Sequence, residues 1–259
     1  MYIIIMAGGL GKRMLSDTPK VLHLINGEPM LVKIIKQALQ LNPTKILIVV
    51  GKYKSIIQNC LLKFIDNAIN QIEFIYQSES LGTGHAIMCC IDYLLFCVYN
   101  ANNANNANNT INANTVLVLS GDTPLISSET MQNMIDYNNQ KSYNNTIMTT
   151  ILENPHGNGR IIRNINDNTF IKIIEEKDCN SYEKDVKEVN CGIYVFNIKT
   201  LCENITKIDR NNAQNEYYLT DIFKHITHNL GIYELKREKQ YELINVNTPE
   251  QLTYASTFI

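Results

Sequence analysis

Residues 6–14 read MAGGLGKRM, and they directly follow YIII at residues 2–5, a β-branched run that is typical of a buried strand. Three glycines within four residues permit a tight turn and let backbone amides approach a bound group closely. Lys12, Arg13 and Lys20 add three positive charges beside those amides. Backbone donors combined with concentrated positive charge favour a polyphosphate ligand. An ordinary strand-to-helix turn with solvated basic residues is the alternative at this point.

The spacing of this loop excludes the two best-known phosphate-binding loops. A P-loop has a glycine five residues before its Gly-Lys pair and Ser or Thr after that pair. Here Met6 stands five residues before Gly11, and Arg13 follows Lys12. The dinucleotide-binding fingerprint fails as well, because Met14 stands where its third glycine belongs. A phosphate site in this loop therefore belongs to a different class.

The composition of the whole chain is typical of a globular α/β protein. The chain has 259 residues, of which 45% are hydrophobic and 19% charged, and we predict a single domain over residues 1–259. Its net charge of −2 gives no basic surface for nucleic acid. No apolar run reaches the roughly 18 residues of a membrane span. The N-terminus lacks signal-peptide features, and the seven cysteines show no disulfide framework, which predicts reduced thiols in the cytoplasm.

Strand-like and helix-like segments alternate through the first half of the chain. The predicted strands are residues 2–5, 45–51, 72–77 and 115–119. The predicted helices follow Pro29, cover residues 56–64 and begin at Thr83. This alternation predicts a mostly parallel, doubly wound (Rossmann-like) sheet flanked by helices. An Asn-rich insertion lies near residues 99–114, before the predicted strand at residues 115–119. It has no apolar face, and we expect it to be a solvated, disordered surface loop.

The second half of the chain contains shorter, more alternating runs separated by Asn, Asp and Gly. They predict mixed or antiparallel strands that extend the first sheet, at residues 147–152, 160–165, 170–175 and 189–196. Two helices are predicted, at residues 199–205 and 218–228. A last helix begins after Thr248, which caps it, because Pro249 occupies the first helical position and Gln251 completes a capping box.

Several polar side chains follow predicted strands, and ligands of parallel α/β sheets lie beyond the carboxyl ends of the strands. Gln77 ends one apolar run, Asp122 follows another, and Asn247 is expected to follow a third. Carboxylate and amide oxygens suit Mg²⁺ held against phosphate oxygens. Asp122 and Asn247 are therefore candidate ligands of a magnesium ion, although both residue types are also common turn formers.

Three further positions have two interpretations each. Glu175 and Asn190, in or at the ends of strands, could bond sugar hydroxyls or cap backbone groups. Residues 157–160, GNGR, fit both a loop that approaches the substrate and a simple hairpin turn. These alternatives stay open on the spacing of the residues.

Seven segments form a recognisable pattern in chain order. They read MAGGLGKRMLSDTPKVLHLINGEPM, QSESLGTGHA, SGDTPLI, GNGRIIR, IIEEKD, VNCGIYVF and NNAQNEYYLTDI. Together, from Met6 to about Leu252, they resemble the nucleotidyltransferases that activate sugar 1-phosphates. The likeness is strongest to the uridylyltransferase domain of the bacterial N-acetylglucosamine-1-phosphate uridylyltransferases. It implies UTP and N-acetylglucosamine 1-phosphate as substrates, UDP-N-acetylglucosamine and pyrophosphate as products, and Mg²⁺ as cofactor.

The resemblance also implies roles for individual positions. The matches to nucleotide contacts are Met6, Ala7, Gly8, Gly9, Gln77, Gly82 and Thr83. The matches to catalytic groups are Arg13 and Lys20, which lie on the triphosphate, and Asp122. The matches to metal ligands are Asp122 and Asn247. The matches to sugar-side contacts are Gly159, Glu175 and Asn190. Further candidate substrate-binding residues are Ser120, Gly121, Lys20 and Asn247.

Four positions depart from the usual bacterial pattern. Gly8 stands where Ala is usual, and Lys12 where Thr is usual. Ser120 replaces Tyr, and Cys191 replaces Thr, both near the expected sugar. The bacterial proteins also carry a C-terminal acetyltransferase domain, and because this chain has no hexapeptide repeats we do not expect acetyl transfer from it. Two alternatives to the implied activity are the same reaction on glucose 1-phosphate or another hexose 1-phosphate, and a non-catalytic protein that binds nucleotide sugars.

Overall fold

A computed structural model describes residues 1–103, 114–226 and 228–259. Its secondary structure alternates between strands and helices. Its first elements are β1 (Tyr2–Met6), β2 (Leu24–Ile25), β3 (Glu28–Pro29), α1 (Met30–Leu39), β4 (Lys45–Val50), α2 (Lys54–Phe64), β5 (Ile72–Tyr76), α3 (Thr83–Met88), α4 (Ile91–Asn103) and β6 (Thr115–Ser120). They are followed by α5 (Ser128–Gln140), β7 (Asn145–Ile151), β8 (Arg160–Arg163), β9 (Phe170–Ile174), α6 (Ser181–Lys184), β10 (Glu188–Asn197), α7 (Ile198–Ile205), β11 (Leu230–Glu234) and α8 (Pro249–Ser256).

Nine strands of the described chain form one mixed sheet. Its main order is β11-β7-β10-β6-β1-β4-β5, and β8 and β9 are attached beside β10. β1 pairs in parallel with β4 and β6, and β4 pairs in parallel with β5. β10 runs antiparallel to both β6 and β7. The prediction of a mostly parallel sheet flanked by helices and extended by mixed strands is confirmed.

The sheet is covered by apolar layers on both faces. Along β1, Ile3 and Ile5 belong to the layer under α1, α2 and α5, and Ile4 belongs to the layer under α3, α4 and α7. All three isoleucines are fully buried. A strand that is covered on both faces needs apolar side chains at successive positions, which explains why this run does not alternate with polar residues.

A third, smaller cluster joins the glycine-rich segment to the end of the chain. Met14, in a 3-10 helix at Lys12–Met14, packs with Val246 and with Ala255 of α8, and all three side chains are buried. Burial of these side chains stabilises the contact between two segments at opposite ends of the sequence. It places Arg13 beside Asn247, 234 positions away along the chain.

The predicted helix over residues 218–228 is wrong. The structure has a short 3-10 helix at Leu219–Lys224, and residue 227 lies outside the described residues. Residues 219–223 are all buried, whereas an amphipathic α-helix would expose part of such a run. β11, which the sequence analysis did not predict, follows and pairs in parallel with β7 at the sheet edge.

The predicted strand before Asn247 is also wrong. A 3-10 helix at Arg237–Leu243 precedes an irregular segment, in which the Val246 N–H donates to the Asp122 carbonyl at 2.8 Å. The Thr248 cap is confirmed, since its side chain accepts from the Gln251 N–H. The Gln251 side chain accepts from the Asn247 N–H at 2.8 Å instead of closing the predicted capping box.

Two predictions concern α4 and the cysteines. α4 continues to Asn103, so the first residues of the predicted Asn-rich loop are helical, and residues 104–113 of that prediction lie outside the described residues. All seven cysteines are free, as predicted. In the part of the chain that the structure describes, the helices fall short of the length and apolar character that a membrane crossing requires.

Candidate active site

A cleft of about 430 Å³ lies beside the glycine-rich loop, at the carboxyl edge of the sheet. We call it the loop cleft; the predicted nucleotide contacts in its wall are Met6, Gly8, Gly9, Gln77, Gly82 and Thr83. Ala7 does not line it, because this residue is buried and its N–H donates to the Val49 carbonyl at 2.8 Å. The cleft therefore brings together six of the seven residues that the sequence analysis placed around the nucleotide.

Gln77 is the buried polar side chain of the loop cleft. Its Nε2 atom donates to the Gly82 carbonyl at 3.2 Å and lies 3.1 Å from Nδ1 of His85. Its Oε1 atom faces Gly8, where an added Cβ would come within 2.8 Å. The position of Gln77 thus depends on the absence of a side chain at residue 8.

The segment Glu216–Leu219 packs directly against the other wall of the loop cleft. Tyr217 donates its N–H to Leu81 at 2.8 Å and accepts from the N–H of Gly84 at 2.7 Å, and the N–H of Leu219 donates to the Thr83 hydroxyl at 3.0 Å. Gly82 has a φ of +107°, and a Cβ there would lie 2.5 Å from the Tyr217 carbonyl. The close approach of the two segments therefore requires glycine at residue 82.

A second cavity, of about 210 Å³, adjoins the loop cleft and shares Met6 and Thr83 with it. We call it the inner cavity; the predicted site residues in its wall are Ser120, Asp122, Gly159, Glu175, Asn190 and Asn247. Gly121 is not in the wall. Its N–H donates to the Met6 carbonyl at 2.9 Å, and a Cβ there would lie 2.8 Å from that oxygen, so the residue lets β1 and β6 end side by side.

Polar side chains of the inner cavity are held in place by hydrogen bonds to other side chains. The Thr220 hydroxyl donates to Oε1 of Glu175 at 2.8 Å. Burial raises the pKa of Glu175, and the bond from Thr220 opposes this shift only in part. Nδ2 of Asn190 donates to the Tyr194 hydroxyl at 2.7 Å, and burial raises the pKa of Tyr194 as well. The Glu175 carboxyl and the Asn190 amide are thus held in fixed orientations in the cavity wall.

A buried arginine supports the loop at residues 157–159, which forms part of the cavity wall. Arg160 is 1% exposed, and its guanidinium donates to Oε2 of Glu176 at 2.6 Å and to the carbonyl of Asn158. Oε2 of Glu176 also accepts from the N–H of Gly157 at 3.0 Å. Residues 157–159 therefore turn the chain into β8 and face the cavity. The hairpin interpretation is wrong, because β8 pairs with β9 and β10, whereas β7, the strand before this loop, pairs with β10 and β11.

Four predicted residues meet at one point of the inner cavity. Nζ of Lys20 donates to Oδ2 of Asp122 at 2.6 Å and to Oδ1 of Asn247 at 3.0 Å. The Arg13 guanidinium donates to the same Asn247 oxygen at 3.0 Å. The side chains of Lys20 and Asp122 are each only 14% exposed. A carboxylate and an amide oxygen thus converge on a single cation position.

Comparison with known proteins decides the family. Residues 2–241 match the family described as nucleotidyl transferase. The chain belongs to this family. The nucleotidyl transferase chain is 43% identical over 258 residues to a protein of Acanthamoeba polyphaga mimivirus described as a probable UDP-N-acetylglucosamine pyrophosphorylase, a match that covers 98% of this chain and 94% of the viral one.

Other relatives agree with this assignment. The nucleotidyl transferase chain is 40% identical over 238 residues to the bifunctional protein GlmU of Streptococcus agalactiae, which covers 91% of this chain and 47% of GlmU. The chain therefore spans about half the length of that relative. Among solved structures, a UDP-glucose pyrophosphorylase in complex with UDP-glucose matches with a TM-score of 0.70 at 17% identity, over 99% of this chain and 97% of that one. HddC from Yersinia pseudotuberculosis matches with a TM-score of 0.67 at 20% identity, over 99% and 98%. These structural likenesses show the fold.

Sequence reasoning missed three parts of this site. It did not foresee the bond from Thr220 to Glu175, the buried Arg160 that supports residues 157–159, or the packing of Glu216–Leu219 on the loop cleft. The contacts of Thr220 and of Glu216–Leu219 join segments that are distant in sequence, and Arg160 reaches Glu176 from 16 positions away. The one signal for Arg160 in the sequence is its place in an apolar strand run, since an arginine is seldom buried in such a run unless it is paired.

Proposed function

We propose that this nucleotidyl transferase joins UTP and N-acetylglucosamine 1-phosphate to give UDP-N-acetylglucosamine and pyrophosphate, with Mg²⁺ as cofactor. The identity of 43% with the viral protein described as a probable UDP-N-acetylglucosamine pyrophosphorylase, over nearly the full length of both chains, supports this substrate pair. In the proposal the loop cleft takes the nucleotide, the inner cavity takes the sugar, and the reacting phosphates lie where the two meet.

The convergence of Asp122 and Asn247 on one cation carries the proposal. Both oxygens already accept from the Lys20 ammonium, so their orientation suits a positive charge placed between them. Mg²⁺ prefers oxygen ligands and keeps several waters. Among the residues that the structure describes, no group of three or more His, Cys, Asp or Glu side chains is arranged to hold a metal. Phosphate oxygens and water would therefore complete the ligands of Mg²⁺ at this point.

The same contacts give Lys20 two roles. Its ammonium occupies the position between the two oxygens, so a bound Mg²⁺ would take its place there. The Lys20 ammonium, together with the Arg13 guanidinium and the amides of residues 8–9, would then be available to the triphosphate. Such groups act by neutralising the charge of the phosphates and by fixing their positions.

The proposed reaction is an in-line displacement at phosphorus. An oxygen of the sugar phosphate attacks the α-phosphorus of UTP and forms the new P–O bond as the bond between the α-phosphorus and the bridging oxygen of the β-phosphate breaks. Pyrophosphate leaves with that electron pair. The nucleophile is already an anion, so the reaction needs no general base, and its main obstacle is charge repulsion. Mg²⁺, when bound, would supply part of the charge neutralisation.

A substrate panel tests the proposal. Purified protein is incubated with Mg²⁺, UTP and either N-acetylglucosamine 1-phosphate or glucose 1-phosphate, and pyrophosphate release and the nucleotide sugar are both measured. We expect UDP-N-acetylglucosamine to form with the higher kcat/KM. A preference for glucose 1-phosphate would overturn the assigned sugar while retaining the chemistry. Binding of the nucleotide sugar with no turnover of any substrate pair would instead show a non-catalytic binding protein.

A binding experiment tests the metal position separately. Mn²⁺ binding to the protein with and without UTP is followed by electron paramagnetic resonance, in the wild type and in the variants Lys20→Met and Arg13→Met. We expect Lys20→Met to strengthen Mn²⁺ binding in the absence of UTP, because it frees both oxygens, and to do so more than Arg13→Met, which frees only one bond to Asn247. Equal effects of the two variants would place the metal elsewhere.

A further inference from the structure

The two carboxylate oxygens of Asp122 have different partners. Oδ2 accepts from the Lys20 ammonium and faces the cation position that Asn247 shares. Oδ1 accepts from the hydroxyl of Ser120 at 2.6 Å. The carboxylate is therefore turned so that one oxygen points to the cation and the other is held by the protein.

The backbone around Asp122 is fixed independently of this bond. Ser120 is the last residue of β6 and lies opposite Met6 in the sheet register. The N–H of Gly121 donates to Met6, and the carbonyl of Asp122 accepts from the N–H of Val246 at 2.8 Å. With the backbone held on both sides, rotation about the side-chain bonds of Asp122 is the motion that the Ser120 hydroxyl restrains.

This restraint matters for the choice of metal. Ca²⁺ takes six to eight oxygen ligands and binds carboxylates through one or both oxygens, whereas Mg²⁺ demands a compact octahedron. The Ser120 hydroxyl holds the carboxylate at one angle, with Oδ2 toward the cation position and Oδ1 turned to the protein. This orientation favours coordination through one oxygen. We propose that Ser120 is a positioning residue that keeps Asp122 in one-oxygen coordination and thereby selects Mg²⁺ over Ca²⁺. This inference rests on the proposed function, specifically on Asp122 as a metal ligand.

Two substitutions separate the hydroxyl from the space that it fills. Ser120→Ala removes the donor and frees Oδ1, so Asp122 can rotate and offer both oxygens. Ser120→Thr keeps the hydroxyl at the same position, and threonine suits the end of a strand. Cys191→Ala is the matched control, because Cys191 lines the same cavity and the change also removes one heavy atom from its wall.

The test measures metal binding in the presence of UTP and without the sugar phosphate, so that no turnover occurs. Mn²⁺ bound to each protein is followed by electron paramagnetic resonance, and Mg²⁺ or Ca²⁺ is added to displace it. We expect Ser120→Ala to shift the ratio of the Mg²⁺ and Ca²⁺ dissociation constants toward Ca²⁺ by roughly tenfold, the size of effect that partners of metal ligands commonly have. Ser120→Thr and Cys191→Ala keep the wild-type ratio.

Two results would overturn the inference: an unchanged ratio in Ser120→Ala, whether or not both metals bind more weakly, or a Ser120→Thr variant that behaves like Ser120→Ala. Circular dichroism melts of each variant separate loss of folding from loss of selectivity. If the wild type bound no Mn²⁺ with UTP and released no pyrophosphate from any substrate pair, the proposed function itself would fail. If the wild type bound Mn²⁺ and released pyrophosphate, but Ser120→Ala kept the wild-type ratio of the Mg²⁺ and Ca²⁺ dissociation constants, only the role of Ser120 would be rejected.

Discussion

The loop cleft and the inner cavity are built by different means. The loop cleft lies between two turns that carry Gly8, Gly9 and Gly82, with Gln77 as its buried polar side chain. The inner cavity is shaped by bonds between side chains that are far apart in sequence, such as the 2.8 Å bond from Thr220 to Glu175, 45 residues away. Turns at the ends of strands form the loop cleft, whereas the network of side chains around the inner cavity forms only when the whole sheet is assembled. The two should therefore respond differently to substitution.

Asp122→Asn should have the largest effect, because Asp122 supplies the carboxylate of the cation position. The substitution keeps the shape of the side chain and removes its negative charge, so we expect kcat to fall at least about a hundredfold, the typical loss of one preorganised electrostatic contact. Pyrophosphate release measures it. Asp167→Asn, in an exposed loop, is the control and should turn over as the wild type does. An Mg²⁺-dependent Asp122→Asn protein of normal rate would reject Asp122 as a ligand of the metal.

Arg160→Lys should damage the inner cavity and spare the loop cleft. Lysine cannot replace the planar guanidinium, which donates to Glu176 and to the carbonyls of Asn158 and Lys184. We expect a loss of about 2 kcal/mol in the free energy of unfolding, comparable to one hydrogen bond of a charged group, and a rise of about tenfold in the KM of the sugar phosphate. The KM of UTP should stay unchanged.

The control for this prediction is Arg163→Lys. Arg163 also pairs with a carboxylate, Glu188, through two bonds of 2.6 and 2.8 Å, but it lies outside the lining of both cavities. It should lose some stability and keep both KM values. Denaturant titration and initial-rate kinetics measure the two effects. A rise in the KM of UTP in Arg160→Lys would show that the cavities are not independent.

Glu175→Gln should show how much stability the folded protein loses when the Glu175 carboxyl group is ionised in the inner cavity. Burial raises the pKa of Glu175 in the folded protein above its ordinary value of 4.5. The stability that this group contributes is therefore complete below pH 4.5 and is lost as the pH rises through the raised value. Glutamine does not titrate, so the Tm of the variant relative to that of the wild type should rise with pH. At neutral pH we expect the variant to melt on the order of 2 °C higher than the wild type.

Glu176→Gln provides a control of opposite sign. Burial raises the pKa of Glu176, but the bonds from Arg160 and the Gly157 N–H outweigh it and lower the pKa overall. The wild-type carboxylate thus stabilises the fold above the ordinary pKa, and this variant should lose stability at neutral pH. Thermal melts between pH 4 and pH 8 compare the two. Parallel pH profiles for the two variants would contradict the prediction.

Gly8→Ala should have the smallest effect, because the loop cleft is limited there by a movable group. The new Cβ would meet Oε1 of Gln77 at 2.8 Å, and the end of that side chain can turn away. We expect a rise of about threefold in the KM of UTP, worth well under 1 kcal/mol, with little change in stability. Gly121→Ala is the contrasting variant, since its Cβ would meet the rigid Met6 carbonyl at 2.8 Å and should cost about 2 kcal/mol of stability. Equal stability losses would mean that Gln77 is as rigid as the backbone.

The amino-acid sequence alone determined the sheet, its parallel half and the loop at residues 6–14, because each depends on local pattern: the period of apolar residues, the glycines and the caps. It also supplied many of the polar residues that line one or the other of the two cavities. It misjudged residues 218–228 and the approach to Asn247, where burial against the sheet and a bond to Asp122 override local propensity.

Only the tertiary structure decided how those residues meet. Lys20 contacts Asp122 and Asn247, which are 102 and 227 positions away. Thr220 contacts Glu175 across 45 positions, and Ser120 contacts the second oxygen of Asp122 across 2. Even the shortest of them depends on the angle at which β6 ends beside β1. The physical reason is that the direction of a side chain depends on neighbours that the folded sheet brings to it, and a linear pattern records residue types without those neighbours.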